Sequence, residues 1–212
     1  MAEAERDPDA YREPAGPAEA EEKVKRSLFI ARLAPCRDEA GCRAFLGGVQ
    51  AAHRDATHNC WAYLLGPNPE TAYCSDDGEP SGTAGRPILG AIKRCGMVNV
   101  MVVVTRYFGG VKLGVRGLIE AYGLAADRVL AAAERAERRV TRPVEVRLPY
   151  PAIGTVTRLL EECGAGDTLD WTYGTEACVR APVPLSRSAA LFAALEELRA
   201  RGTIEAWSAP ER

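Results

Sequence analysis

Histidine is scarce in this 212-residue chain, cysteines never come in close pairs, and no apolar run is long; each shortage removes a class of function. Only His53 and His58 are present, so a metal centre would have to recruit carboxylates or thiols. The seven cysteines (Cys36, Cys42, Cys60, Cys74, Cys95, Cys163, Cys178) show no Cys-x-x-Cys spacing, and they read as small apolar residues of a reducing compartment. The most apolar stretch, 97–104, is interrupted by Asn99 and is far too short to cross a bilayer. The opening Met-Ala-Glu-Ala-Glu-Arg-Asp has neither the basic nor the apolar region of a secretion signal. The expectation is a cytoplasmic protein without a membrane partner.

A strong net charge is missing too, at −2 for the chain, but the charge is unevenly spread. Residues 1–22 carry eight acids (Glu3, Glu5, Asp7, Asp9, Glu13, Glu19, Glu21, Glu22) against Arg6 and Arg12, which leaves about +4 on the remainder. That segment is rich in Ala, Pro and Glu, and its composition predicts a disordered acidic tail. The mildly basic remainder is compatible with nucleic acid without requiring it. An apolar share of 47% with 26% charged residues is ordinary for a globular chain of two small domains.

Periodicity and punctuation place the elements. A strand is expected over 24–33, and a helix capped by Asp38 runs to about 52. Short strands at 60–65 and 70–74 flank a turn at 66–69. Thr83 is placed to cap a helix over 85–94 that Gly96 ends. The run 98–105 reads as a strand buried on both faces, and 115–138 as a long helix. From 140 on, the order strand, helix, strand, strand, helix, strand is the ferredoxin-like pattern. The predicted organisation is α+β: a tail over 1–22, a first domain over 23–139 and a second over 140–212.

Three polar, glycine-punctuated segments carry the chemistry. In the third, Gly109 and Gly110 permit backbone shapes closed to other residues, and Lys112 stands just before a helix start, a natural phosphate site. The spacing is not a Walker loop, because Val115 stands where the lysine belongs. Gly114-Val115-Arg116-Gly117 has the GXXG form that clamps nucleic-acid backbones, in a match too short to be specific. The alternative is a tight strand-to-helix turn that needs glycine for geometry alone.

The acidic segment offers Asp76, Asp77 and Glu79, which could hold magnesium or act as an acid–base pair. Its plainer reading is a turn at Asp77-Gly78 with helix capping through Ser81 or Thr83. Asp55 and His58 could form a carboxylate-oriented imidazole, and Cys60 a thiol partner for it; a histidine bracing a strand is the commoner case. Among the aromatics, Trp61 and Phe108 are expected in the core, with Arg106 and Tyr107 more open.

The strings 27–31 (Ser-Leu-Phe-Ile-Ala), 55–63 (Asp-Ala-Thr-His-Asn-Cys-Trp-Ala-Tyr), 75–89 and 102–114, through Tyr107-Phe108-Gly109-Gly110, together resemble the IMPACT/YigZ family. The resemblance covers about 27–130. It implies a first domain similar to domain IV of elongation factor G, with a left-handed βαβ unit, and a second similar to its domain V. Those domains engage ribosomal RNA in the factor. Eukaryotic relatives regulate translation by competing for the activator of an initiation-factor kinase, and they carry a partner domain absent here. Relatives usually read Lys-Leu-Gly-x-Gly-Gly-Leu-x-Arg-Ala-Tyr. This chain has Arg116 where the second of those glycines stands and Glu120 at the usual arginine, four residues apart and able to pair.

The leading expectation is a non-enzymatic RNA- or ribosome-binding protein that regulates translation, without cofactor, metal or catalytic residues and without DNA specificity. Arg106, Tyr107, Gly109, Gly110, Lys112 and Arg116 would contact nucleic acid. Asp55, His58, Asn59, Ser75, Asp76, Asp77, Glu79, Ser81 and Thr83 would line the same exposed face in roles left open. The first alternative is a metal-assisted hydrolase or nucleotide-processing enzyme built on Asp76, Asp77, Glu79, Asp55 and His58. The second is a protein-interaction module for a partner in the translation machinery.

Overall fold

Strands begin where composition predicted a disordered tail. The computed structural model describes residues 7–67 and 70–210, and in it β1 (Ala10–Pro14) and β2 (Ala18–Val24) are both formed. In β2 the small or apolar Ala18, Ala20 and Val24 turn inward while Glu19, Glu21 and Lys23 stay exposed, which is the period-two alternation of a strand. Several of the acids are paired. Glu19 meets Arg32 at 2.6 Å and Glu22 meets Arg128 at 2.7 Å. Glu13 is buried, accepting from Arg37 at 2.6 Å, Arg138 at 3.0 Å and Asn99 at 2.9 Å. From residue 7 on, the acidic segment is thus tied to the basic remainder by these pairs, while Glu3 and Glu5 lie outside the described residues.

The chain divides into two units, Tyr11–Arg138 and the residues from Arg139 on joined by those before Tyr11. In the first unit β3 (Ser27–Pro35), α1 (Glu39–Ala52), β4 (His58–Leu65), β5 (Thr71–Ser75), α2 (Gly85–Cys95), β6 (Val100–Tyr107) and α3 (Gly114–Ala132) follow one another. Five strands form one sheet in the order β2-β3-β6-β4-β5, each antiparallel to its neighbour. Since β3 and β4 both oppose β6, they run parallel, and the β3–α1–β4 connection passes over it. The central β6 is apolar through most of its length because both of its faces are covered. Phe29, Leu33, Val102 and Val104 pack with Ile88 of α2 and Tyr122 of α3. Met101, Val103 and Tyr63 pack on the other face with Cys42 and Val49 of α1.

As expected, Asp38 caps α1, accepting from Gly41 N at 2.7 Å, and Gly96 closes α2 in the left-handed region. Two expectations fail. The long helix ends at Ala132, and Arg135–Arg139 is a strand, β7, paired with β1. Thr83 does not cap α2, because its hydroxyl donates back to the Pro80 carbonyl at 2.6 Å. Asn68 and Pro69 of the expected turn lie outside the described residues.

The second unit runs β8 (Thr141–Leu148), α4 (Ile153–Glu162), β9 (Asp170–Tyr173), β10 (Ala177–Pro184), α5 (Leu185–Ala200) and β11 (Ala206–Ser208). Its antiparallel sheet has the order β11-β8-β10-β9, the ferredoxin-like arrangement. Val146, Val179, Val156, Leu160, Leu191 and Leu195 form its core. Asp9 belongs to this unit: its buried carboxylate accepts from Ser186 N at 3.0 Å and Ser186 Oγ at 2.6 Å, at the first turn of α5. Among the described residues no helix is long and apolar enough to cross a membrane.

Candidate functional site

The register of β4 against β6 sets His58 opposite Arg106 and Asn59 opposite Thr105. Successive side chains point to opposite faces of a sheet. His58, Cys60 and Arg106 therefore lie on the α2/α3 side, while Asn59, Thr105 and Tyr107 lie on the α1 side. His58, Asn59, Asp77, Glu79 and Arg106 meet in space, but the strand residues split between two faces, so the expected single exposed face does not form.

On the α2/α3 side Arg106 is sealed in, with 6% of its side chain exposed. Its Nη1 donates to Glu79 Oε1 at 2.5 Å and its Nη2 to Ser27 Oγ at 3.3 Å. Its guanidinium lies 5.5 Å from the Phe29 ring centroid and 5.3 Å from that of Phe108. Tyr122 also donates to Glu79 Oε1, at 2.9 Å, and His58 Nε2 is 4.0 Å away. Arg106 is thus not available to phosphate; it neutralises a buried carboxylate. Cys60 donates its thiol hydrogen to the Asp76 carbonyl at 2.9 Å, and burial pushes its pKa up to about 12. Cys60 and His58 are thus each hydrogen-bonded to the backbone of the 76–77 turn, where the expected alternative had them bonded to one another.

The acidic segment is a capping device. Asp76 accepts from Gly82 N at 2.8 Å, Ala84 N at 3.0 Å and Gly85 N at 2.8 Å, filling the α2 N-terminus in place of Thr83. Burial raises its pKa, but these three N–H donors outweigh that and hold the carboxyl below its usual 3.8. Asp77, in the left-handed region at φ 44°, accepts from Asn59 N at 2.6 Å, and its carbonyl accepts from His58 Nδ1 at 2.7 Å. Ser75 Oγ accepts from Asp77 N at 3.3 Å, while Ser81 is exposed. These contacts account for the acids that a bare turn left unexplained. Among the described residues no three His, Cys, Asp or Glu side chains are grouped to hold a metal ion.

On the α1 side Asn59 accepts from Thr105 Oγ1 at 2.8 Å, and the Tyr107 hydroxyl bonds His53 Nδ1 at 2.7 Å and Asp55 Oδ1 at 3.3 Å. Arg32 contacts the other ring nitrogen of His53. Burial and the Arg32 charge lower the His53 pKa. His53, Arg32, Tyr122 and Glu13 were all missed from sequence. Each is defined by a partner at least 21 residues away, which no local pattern reveals.

What stays open is the turn from β6 to α3. Phe108, expected in the core, is 46% exposed, whereas Tyr107 is half-buried. Thr57 Oγ1 accepts from Phe108 N at 3.1 Å. Gly109 is obligatory for a packing reason, because a Cβ there would overlap the Arg26 carbonyl. Gly110 takes φ 82°, which an L side chain rarely adopts. Lys112 is exposed, and α3 starts at Gly114 without a side-chain cap. Arg116 pairs with Glu120 at 2.9 Å on the surface, so the cation displaced by one turn is held by the acid that replaced the usual arginine. An exposed pair of this kind contributes little and exchanges freely.

Residues 25–130 match the Impact N-terminal domain family. The chain belongs to the IMPACT family. IMPACT family member YigZ of Escherichia coli is 31% identical over 194 residues, covering 91% of this chain and 94% of that protein. IMPACT family member YvyE of Bacillus subtilis is 39% identical over 139 residues, 66% of this chain; the match spans 64% of YvyE's length. A crystal structure of a hypothetical protein superposes with a TM-score of 0.67 at 30% identity, covering 96% of this IMPACT chain and 98% of that one.

Proposed function

We propose that this IMPACT family chain is a non-enzymatic RNA- or ribosome-binding protein that acts in the regulation of translation, with the loop 108–116 as its contact. One observation carries the reading. The buried polar residues form a foundation, and beside it lies an exposed, glycine-shaped helix entrance flanked by Lys112 and Arg116. Backbone N–H groups at an uncapped helix start favour anions, and two surface cations add phosphate affinity that salt screens. Phe108, more exposed than Tyr107, would offer a base the part of its ring that the Arg106 guanidinium leaves uncovered. Arg106 drops out of the contact set and becomes the buttress.

Ribosome co-sedimentation at low and high salt tests the reading. Wild-type protein should pellet with ribosomes at low salt and be released at high salt, and Lys112→Ala/Arg116→Ala should reduce pelleting at low salt. Association that ignores both salt and this double substitution would overturn it.

A further inference from the structure

The turn between β2 and β3 has two residues, Lys25 and Arg26, closed by the pair Val24 and Ser27. Lys25 takes φ 55°, in the left-handed region. Among the described residues Asp77 and Asn99 are the other non-glycine residues with positive φ. Both are of types that enter this region readily, and both side chains are hydrogen-bonded. Lys25 differs on both counts: its side chain is exposed and makes neither a hydrogen bond nor an ion pair. Glycine or asparagine would close the turn with less strain, so backbone geometry does not account for a lysine.

Arg26 and Lys112 are also exposed and without an ion-pair partner. The turn packs directly on the glycine loop: a Cβ at Gly109 would overlap the Arg26 carbonyl, and Gly109 N donates to Ser27 Oγ at 3.5 Å. Between the turn and α3 lies a groove of about 460 Å³. Val24, Leu113 and Leu124 give it apolar walls, with Lys25 on the turn side and Arg116 and Glu120 on the helix side. Glu120, the acid in this lining, is already paired with Arg116.

We infer that this groove holds the backbone of an RNA single strand, with Lys25 and Arg26 on phosphates across from Lys112 and Arg116. The inference rests on the RNA-binding reading above and adds a second wall to its contact. A strand carries a phosphate at every nucleotide, so cations on both walls are neutralised together while a ribose or base covers the apolar floor. The space suits one strand and is too small for a duplex.

The test follows the anisotropy of labelled oligouridylate with the full chain between about 50 and 200 mM salt. Lys25→Asn/Arg26→Gln removes both charges and leaves a residue suited to the left-handed region. The slope of log affinity against log salt should fall by roughly 1.4, so that rise in salt weakens the variant about 7-fold less than the parent. Its thermal midpoint should be no lower than the parent's. Lys25→Arg/Arg26→Lys, which keeps the charges, should keep the parent's slope. A slope that falls with Lys112→Ala but not with Lys25→Asn/Arg26→Gln would overturn the second wall and leave the loop reading standing. No binding of oligouridylate by the parent would overturn both. An RNA duplex of equal length bound as tightly would overturn the single-strand fit. Polyglutamate bound through Lys25 and Arg26, with no RNA bound, would assign the groove to an acidic protein segment and overturn the proposal.

Discussion

Substituting Arg106 by Met keeps most of the bulk between Phe29 and Phe108 but removes the charge that faces Glu79. The carboxylate, with 4% of its side chain exposed, would keep only the Tyr122 hydroxyl at 2.9 Å and the more distant His58. Removing one partner of a buried ion pair costs about 3–5 kcal/mol, and the lost cation–π contacts add roughly 0.5–2 kcal/mol. Against a domain stability of about 5–15 kcal/mol this is a large fraction. At a urea slope of about 2 kcal/mol per molar, the midpoint should fall by roughly 2 M. Trp61 fluorescence in the Trp171→Phe/Trp207→Phe background follows the first unit alone, which avoids treating a two-unit chain as one transition. Adding Glu79→Gln should recover part of the loss, since the amide still accepts from Tyr122 without a buried charge. A midpoint within about 0.5 M of the parent, or a double variant as unstable as the single, would refute the buried-buttress account.

Other consequences are more local. Asp76→Asn should lower first-unit stability by about 1–2 kcal/mol, because an amide cannot accept from three backbone N–H groups; equal urea midpoints would contradict this. Burial raises the Glu13 pKa, but the Arg37, Asn99 and Arg138 hydrogen bonds outweigh it and leave the folded value below 4.5. Its contribution is therefore fully present above about pH 4.5 and lost as pH falls through the lower folded value, so the thermal midpoints of wild type and Glu13→Gln should converge in acid. His53 has a folded pKa below 6.5, so the unfolded chain takes up its proton first and stability falls as pH drops through 6.5; His53→Gln should flatten that limb of the midpoint–pH curve.

Much of the fold was legible because local rules agreed with the tertiary outcome. The Asp38 cap, the Gly96 stop and the apolar run of β6 each announce themselves within a few residues. The βαββαβ order of the second unit follows from periodicity alone. The missed strands hid one another: β7 looked helical because its partner β1 lay in a segment dismissed as a tail. Alternating Ala and Glu along β2 was a readable signal, and composition drowned it. The candidate site was legible as segments but not as roles. Arginine reads the same buried or exposed, and what buries Arg106 is Glu79, 27 residues away. Phe108 looks like core by type, yet the turn that Gly109 allows carries it to the surface.

The salt dependence of single-stranded RNA binding tests the central claim most directly. If Lys112 meets a phosphate and Arg106 only supports the loop, Lys112→Ala should reduce the slope of log affinity against log salt by roughly 0.7. Folded Arg106→Met protein, assayed without denaturant, should keep the wild-type slope. A slope unchanged by Lys112→Ala but reduced by Arg106→Met would contradict the account.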